Sequence, residues 1–249
     1  MRKFSLIIFF AVSLISWLSC SKIYQSHSVQ YRDYRILSSF EKDDELVTIL
    51  KPYSDSVNSS MNDIVGVASI TLEKKTPESS LGNFMADAFY TMAKEKFNVP
   101  VDIAITNFGG IRLVQLPAGN VTRSKIFELM PFDNLLILQK IKGDVLKEYL
   151  DLIAARDGWP VAGMTMQIKD KKAINVMIGG KPLDPDAVYT VAQSDFLANG
   201  GDKADMLRAI PAHNIGYLMR DALIDYIGVL KGRGMDISAK VENRVSYAQ

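Results

Sequence analysis

The chain has 249 residues, a formal net charge of +1 at pH 7, 48% hydrophobic and 23% charged residues, and one cysteine. Those proportions exclude a disordered chain, the near-neutral balance excludes a broad basic footprint for nucleic acid, and a lone cysteine excludes an internal disulfide. The length suits one domain with a sizeable core behind an N-terminal extension.

The chain opens with Arg2 and Lys3, followed by an apolar run from Phe4 to Leu18 interrupted by Ser5, Ser13 and Ser16. The run is too short to span a bilayer, which takes about 20 residues, but it fits the core of a secretory signal. It ends at Leu18-Ser19-Cys20. A cysteine placed there resembles the lipid-attachment site of a bacterial lipoprotein; the other reading is an ordinary signal with an incidental cysteine. The expectation is a signal peptide over residues 1–19 and a lipidated tether over 20–42, anchored to a membrane through Cys20. The compartment is then the periplasm or outer membrane of a Gram-negative cell. Loss of residues 1–19 removes Arg2 and Lys3 and no acid, so the formal charge moves from +1 to −1.

Residues Ser21 to Leu37 read as a polar tether, or as an edge strand through the alternating Tyr31–Ile36. From Asp43 the spacing Leu46, Ile49, Leu50, Tyr53, Val57, Met61 is helical, with Pro52 expected to kink or limit it. Ile64–Leu72 reads as a strand. Glu78-Ser79-Ser80 opens a helix whose apolar stripe is Leu81, Phe84, Met85, Ala88, Phe89 and Met92. Asp102–Thr106 is a short strand ending in the Gly109-Gly110 turn. Thr122 caps a helix through Leu129, Leu135–Ile141 is a buried strand, and Asp144–Ala155 is amphipathic and helical. Strands at Met164–Lys169, Ile174–Ile178 and Tyr189–Gln193 follow, joined by turns at Gly179-Gly180 and Asp184-Pro185. A helix over Ile215–Leu230 ends at Gly232, and a strand over Val241–Val245 closes the chain. Alternating helices and strands, with hairpins in the second half, predict an α/β (α+β) domain over residues 43–249. Its mixed β-sheet is flanked by helices.

Four loops carry chemistry. Glu78-Ser79-Ser80-Leu81-Gly82-Asn83 stands at a helix N-terminus, suited to an anion, though simple capping is the better reading of that segment alone. In Asn107-Phe108-Gly109-Gly110-Ile111-Arg112, the glycines let a ligand approach the backbone, Asn107 offers a donor and an acceptor, and Arg112 offers a planar fork for phosphate. Met130-Pro131-Phe132-Asp133-Asn134 and Ser194-Asp195-Phe196-Leu197-Ala198-Asn199-Gly200-Gly201-Asp202 each place a phenylalanine among turn residues. Two such rings can clamp a planar ligand from both faces, with stacking of about 1–3 kcal/mol per base.

Taken in order and spacing, these segments are similar to the 5′-nucleotidase C-terminal domain, over about Asp43 to Tyr247. The resemblance implies that the domain holds a nucleotide such as AMP. Phe132 and Phe196 would sandwich the base, Asn107 would contact base or substrate, Arg112 would bind phosphate, and Asp202 would hold the ribose hydroxyls. Gly109, Gly110, Asn199 and Gly201 belong to the same substrate loops. Lys75 stands where members usually carry a second phosphate-binding arginine, and lysine cannot make the bidentate contact. Lys203-Ala204 departs from the usual Gly-aromatic pair.

Full-length members of that family resemble a two-domain design in which a metallophosphatase domain with two metals does the hydrolysis. Such a centre needs clustered His, Asp and Asn ligands. This chain has two histidines, His27 and His213, neither in an Asp-x-His or Gly-Asn-His context. The expectation is therefore no cofactor and no hydrolysis in this chain alone. It would be the nucleotide-binding subunit of a split 5′-nucleotidase, with Zn²⁺ or Mn²⁺ carried by a separate metallophosphatase chain. The alternatives are a stand-alone nucleotide- or nucleoside-binding lipoprotein, and a degenerate scaffold with no ligand.

Overall fold

A computed structural model of the chain describes residues 39–248, together with Ser28, Gln30, Arg32 and Leu37. The expected signal segment, Cys20, His27 and most of the tether lie outside the described residues. The chain divides into two units, residues 1–49 and 50–249. In the first, the described structure is the opening of helix α1 (Asp44–Met61), where the Asp43 carboxylate accepts the Leu46 N–H at 3.0 Å. The helix continues through Pro52, and its apolar positions Leu46, Ile49, Leu50, Tyr53 and Val57 are exposed.

The second unit carries the remaining elements. Strands β1 (Ile64–Ala68) and β2 (Leu72–Glu73) lead into helix α2 (Ser80–Phe97). Ser79 caps α2 by accepting the Gly82 N–H at 3.1 Å, and Asn98 ends it in the left-handed conformation at φ 51°. Next come β3 (Ile103–Ile105), β4 (Gln115–Leu116), β5 (Gly119–Thr122) and helix α3 (Arg123–Leu129), capped by Thr122. Then follow β6 (Leu135–Lys142), helix α4 (Gly143–Ala155), β7 (Val161–Ala162), β8 (Met164–Lys169), β9 (Lys172–Ile178) and β10 (Lys181–Pro182). The chain closes with β11 (Val188–Ser194), the one-turn helix α5 (Asp195–Ala198), β12 (Ala212–Leu218), helix α6 (Met219–Gly232) and β13 (Val245–Tyr247).

The central sheet has the order β12-β6-β11-β3-β7. Only β11 and β3 run parallel, with Val191 opposite Ile103; β6 is antiparallel to both β11 and β12. Strand alternation then sorts side chains onto two faces. Ala104, Leu136, Leu138 and Ala192 pack under α2 and α6, while Ile103, Ile105, Ile141 and Val191 pack against α4 and the sheet of order β10-β9-β8-β13. Each fully buried aliphatic side chain contributes about 1.5–3 kcal/mol, so these two cores hold the sheet from both sides. The result is the mixed sheet flanked by helices that the sequence predicts.

Three elements differ from expectation. The Ile64–Leu72 strand is broken after Ala68, where the chain bridges to Ile237, and resumes as β2. Residues Ile215–Leu218 are strand rather than helix, because Asn214 and Leu218 pair with Ile137 and Leu135 across a bulge and α6 begins only at Met219. The last strand starts at Val245, where its register with Met166 begins.

Candidate functional site

The parallel pair fixes where a site can form. Strands β3 and β11 end at the same edge, and open parallel sheets bind ligands outside their carboxyl ends. The antiparallel register Ser194–Leu136 brings the start of β6 to that edge as well. Three loops therefore converge there: 106–112, 130–134 and 195–203.

The loops are locked to one another. The Asp195 carboxylate accepts the N–H of Leu135 at 3.0 Å and that of Phe196 at 2.9 Å, tying the two phenylalanine loops at their roots. From α6, the Met219 N–H donates to the Asn134 carbonyl at 2.9 Å. Arg220, 8% exposed, donates to the Phe132 carbonyl at 3.3 Å and to the Asp133 carboxylate at 2.8 Å while lying over the Phe127 ring. Gly201 is needed for closeness: a Cβ there would stand 2.4 Å from the Phe196 ring. Gly110 makes room in the same way, since its Cβ would meet the Asn107 Oδ1 at 2.8 Å.

The loops enclose a cavity of about 280 Å³ lined by Asn107, Gly109, Gly110, Phe132, Asn134, Phe196 and Asp202. Phe132 and Phe196 are 38% and 43% exposed, so each offers ring surface to the cavity rather than to the core. The buried Asn107 donates its amide N–H to the Asp202 Oδ2 at 2.6 Å, so this amide serves to orient the carboxylate. Arg156 reaches the back of the same residue, donating to the Asp202 carbonyl at 2.7 Å with a guanidinium nitrogen 3.7 Å from Oδ1. Below lies Tyr149, fully buried with its hydroxyl lacking a hydrogen-bond partner. Burial, and then the charge of Asp202, push its phenol well above the usual range, so the hydroxyl keeps its proton.

Next to the lining residues Phe132 and Gly109, Arg112 is exposed, 5.7 Å from the Phe132 ring centroid and 3.4 Å from the Gly109 carbonyl. Beside it stands Lys74, whose ammonium donates to the Ile111 carbonyl at 2.7 Å and lies 4.0 Å from the centroid of Phe108. Burial, and then the neighbouring Arg112, hold the Lys74 ammonium below its ordinary value.

Four of the expected site residues are not in the cavity lining: Gly201 backs the Phe196 ring, Arg112 stands beside Phe132, and Lys75 and Asn199 lie apart. Lys75 is exposed and pairs with Glu73, because strand alternation from the buried Leu72 turns residues 73 and 75 away and residue 74 inward. Asn199 ends α5 with its side chain exposed. The Glu78–Asn83 segment is capping and tethering: the Glu78 carboxylate accepts from the Asn83 amide at 2.6 Å and from the Glu242 N–H at 2.8 Å. Lys74, Arg156 and Arg220 lie outside the four loops that the sequence marks, while Asn134 closes one of them. Period-2 alternation could have found Lys74; Arg156 and Arg220 act across 46 and 87 or more residues, a distance with no local signal.

Larger hollows lie elsewhere, of about 710 Å³ beside β12, about 820 Å³ beside β9 and about 400 Å³ beside β8; the first two have no Phe, Tyr or Trp in their lining and the third has Tyr90 alone, so none pairs two aromatic rings. Among the described residues no group of three or more His, Cys, Asp or Glu side chains stands ready to hold a metal ion. The residues described do not fit a two-metal hydrolytic centre. Nor, among them, is any helix long and apolar enough to cross a membrane.

Fold and site together define an α/β domain with a cleft at the carboxyl edge of its sheet, walled by two aromatic loops. Residues 59–209 match the family model described as 5′-nucleotidase, C-terminal domain, and the chain belongs to that family. It is 28% identical over 204 residues to a 5′-nucleotidase of Vibrio cholerae, covering 76% of this chain and 35% of that one. It is 30% identical over 227 residues to the trifunctional nucleotide phosphoesterase protein YfkN of Bacillus subtilis, covering 82% and 15%. The fold resembles the crystal structure of a 5′-nucleotidase precursor from Thermus thermophilus, with a TM-score of 0.70, 24% identity, and coverage of 83% of this chain and 44% of that one. The chain thus spans about a third or less of the length of these curated relatives.

Proposed function

We propose that this chain is the nucleotide-binding subunit of a split 5′-nucleotidase. The observation that carries the reading is the pair of part-exposed rings, Phe132 and Phe196, lining one cavity with Asp202, with Arg112 beside Phe132 and Lys74 beside Arg112. A heteroaromatic base stacks between the rings, the Asp202 carboxylate accepts hydrogen bonds from ribose hydroxyls, and Lys74 and Arg112 meet the phosphate. A cavity of about 280 Å³ sits at the lower edge of the usual range of about 300–1,000 Å³ for ligand pockets. It takes the ring and leaves the phosphate projecting outward, where a second catalytic unit can reach it.

Cleavage is assigned to metals on a separate metallophosphatase chain, since the described residues offer no ligand cluster for them. The reading keeps Cys20 as a lipid anchor that holds this subunit at an exported membrane surface. The test is phosphate release from AMP with Mn²⁺ or Zn²⁺, run with this chain alone and with a candidate exported metallophosphatase. A rate that requires both chains supports the assignment. Turnover by this chain alone overturns it, and tight AMP binding with no effect on any partner's rate points instead to a free-standing binding lipoprotein.

A further inference from the structure

The loop that presents Asp202 is built in a conformation its own residues resist. Asp202 sits at φ 54° and ψ 32°, and Lys203 follows at φ 64°. Two consecutive side-chain-bearing residues in the left-handed region are uncommon, because Cβ crowds the following carbonyl in both. Gly200 just before is also left-handed at φ 82°. Such a pair needs its surroundings to hold it. At Asp170–Lys171, also left-handed, the β8–β9 hairpin does so through the Lys169–Lys172 pairing, whereas no strand pair flanks Asp202–Lys203.

Arg156 is the group that holds this turn. It lies at the end of α4, outside the cavity lining, and stands by the other carboxylate oxygen of Asp202 than does the cavity-lining Asn107. Its guanidinium centre is 5.8 Å from the Trp159 ring centroid, and Trp159 is itself buried and packed edge-on against Tyr149. From that fixed seat one nitrogen donates to the Asp202 carbonyl at 2.7 Å and another stands 3.7 Å from Oδ1, while Asn107 takes Oδ2. The planar fork can hold backbone and carboxylate of one residue at once, which an ammonium cannot do.

We propose that Arg156 is a positioning residue. It locks the left-handed Asp202–Lys203 turn so that the Asp202 carboxylate is aimed at the sugar hydroxyls of the ligand. Arg156 does not touch the ligand; it acts through Asp202. This inference rests on the nucleotide reading of the cavity, and it predicts that affinity for a ribose diol depends on a residue outside the ligand's contacts.

The experiment is calorimetric binding of AMP and of its 2′,3′-dideoxy analogue to the full chain and to Arg156→Ala, Lys203→Gly and the double variant. Arg156→Ala is expected to weaken AMP binding about tenfold and to change analogue binding less than twofold, because the analogue has no diol to place. Lys203→Gly removes the share of the strain that Lys203 carries, so the double variant is expected to recover part of the lost AMP affinity without changing analogue binding, whereas a merely structural role for Arg156 gives no recovery specific to AMP. Arg156→Lys, which keeps the charge and stem, carries the same comparison if the alanine variant does not fold. Equal losses for both ligands, or no rescue by Lys203→Gly, overturn this inference while leaving the nucleotide reading standing. Failure of the unmodified chain to bind either ligand overturns the nucleotide reading and this inference with it.

Discussion

At the residue scale the pair of cations beside the cleft turns on one position of register. Lys74 faces Arg112 while Lys75 pairs outward with Glu73, although the two lysines are adjacent in sequence. Lys74→Ala is expected to weaken binding of AMP about tenfold while leaving adenosine unaffected, and Lys75→Ala to change neither by more than about twofold, as read by calorimetry. The pH dependence has a definite sign. Burial, and then Arg112, hold the Lys74 ammonium below its ordinary value of 10.5, and only the charged form attracts phosphate. AMP affinity therefore falls as pH rises through that lowered value, and in Lys74→Ala this dependence disappears. Without ligand the sign reverses: in the same window the unfolded chain binds more protons at this lysine than the folded one, so the contribution of Lys74 to stability rises with pH. Equal sensitivity of AMP binding to loss of either lysine would contradict the assignment.

At the element scale the site is a matter of loop roots rather than loop tips. The Asp195 carboxylate accepts N–H groups from Leu135 and Phe196, and so fixes the separation of the two aromatic loops. Asp195→Ala leaves the Leu135 N–H without its acceptor, at a cost of about 1–3 kcal/mol, and lets the rings drift apart. It is expected to weaken AMP binding severalfold, while Asp195→Asn, whose amide oxygen accepts the same two N–H groups, retains binding. Parallel loss in both variants would mean that charge, not loop spacing, matters there. Much of this was legible beforehand, since Phe132, Phe196, Asn107, Gly110, Gly201 and Asp202 stand in contiguous motifs and all line or shape the one cavity. What was not legible depends on tertiary register. Ile215 and Leu218 carry a spacing that suits a helix, yet pairing with β6 makes them strand. Asn107 reads in sequence as an amide free for a ligand, but the fold brings Asp202, 95 residues away, within 2.6 Å of it.

At the scale of the whole molecule, the cleft sits where two independent cores meet the same strand ends, so occupancy of the cleft couples to the stability of the sheet. A ligand that binds only the folded state stabilises it by RT ln(1 + [L]/Kd), about 2.7 kcal/mol at a hundredfold excess over Kd. For a unit of this size each kcal/mol moves the melting temperature by about 2–4 °C, so AMP at that excess is expected to raise Tm by about 5–10 °C. Phe132→Ala combined with Phe196→Ala is the informative control. Both rings are more than a third exposed, so their removal empties little of either core and leaves the ligand-free melting temperature nearly unchanged. The AMP-induced rise, by contrast, is expected to fall to little or nothing, because stacking of about 1–3 kcal/mol per base is lost with both rings. A rise that survives in the double variant would place the ligand elsewhere on the molecule, and a ligand-free chain already destabilised by the two substitutions would mean that the rings belong to the packing and not to the cleft.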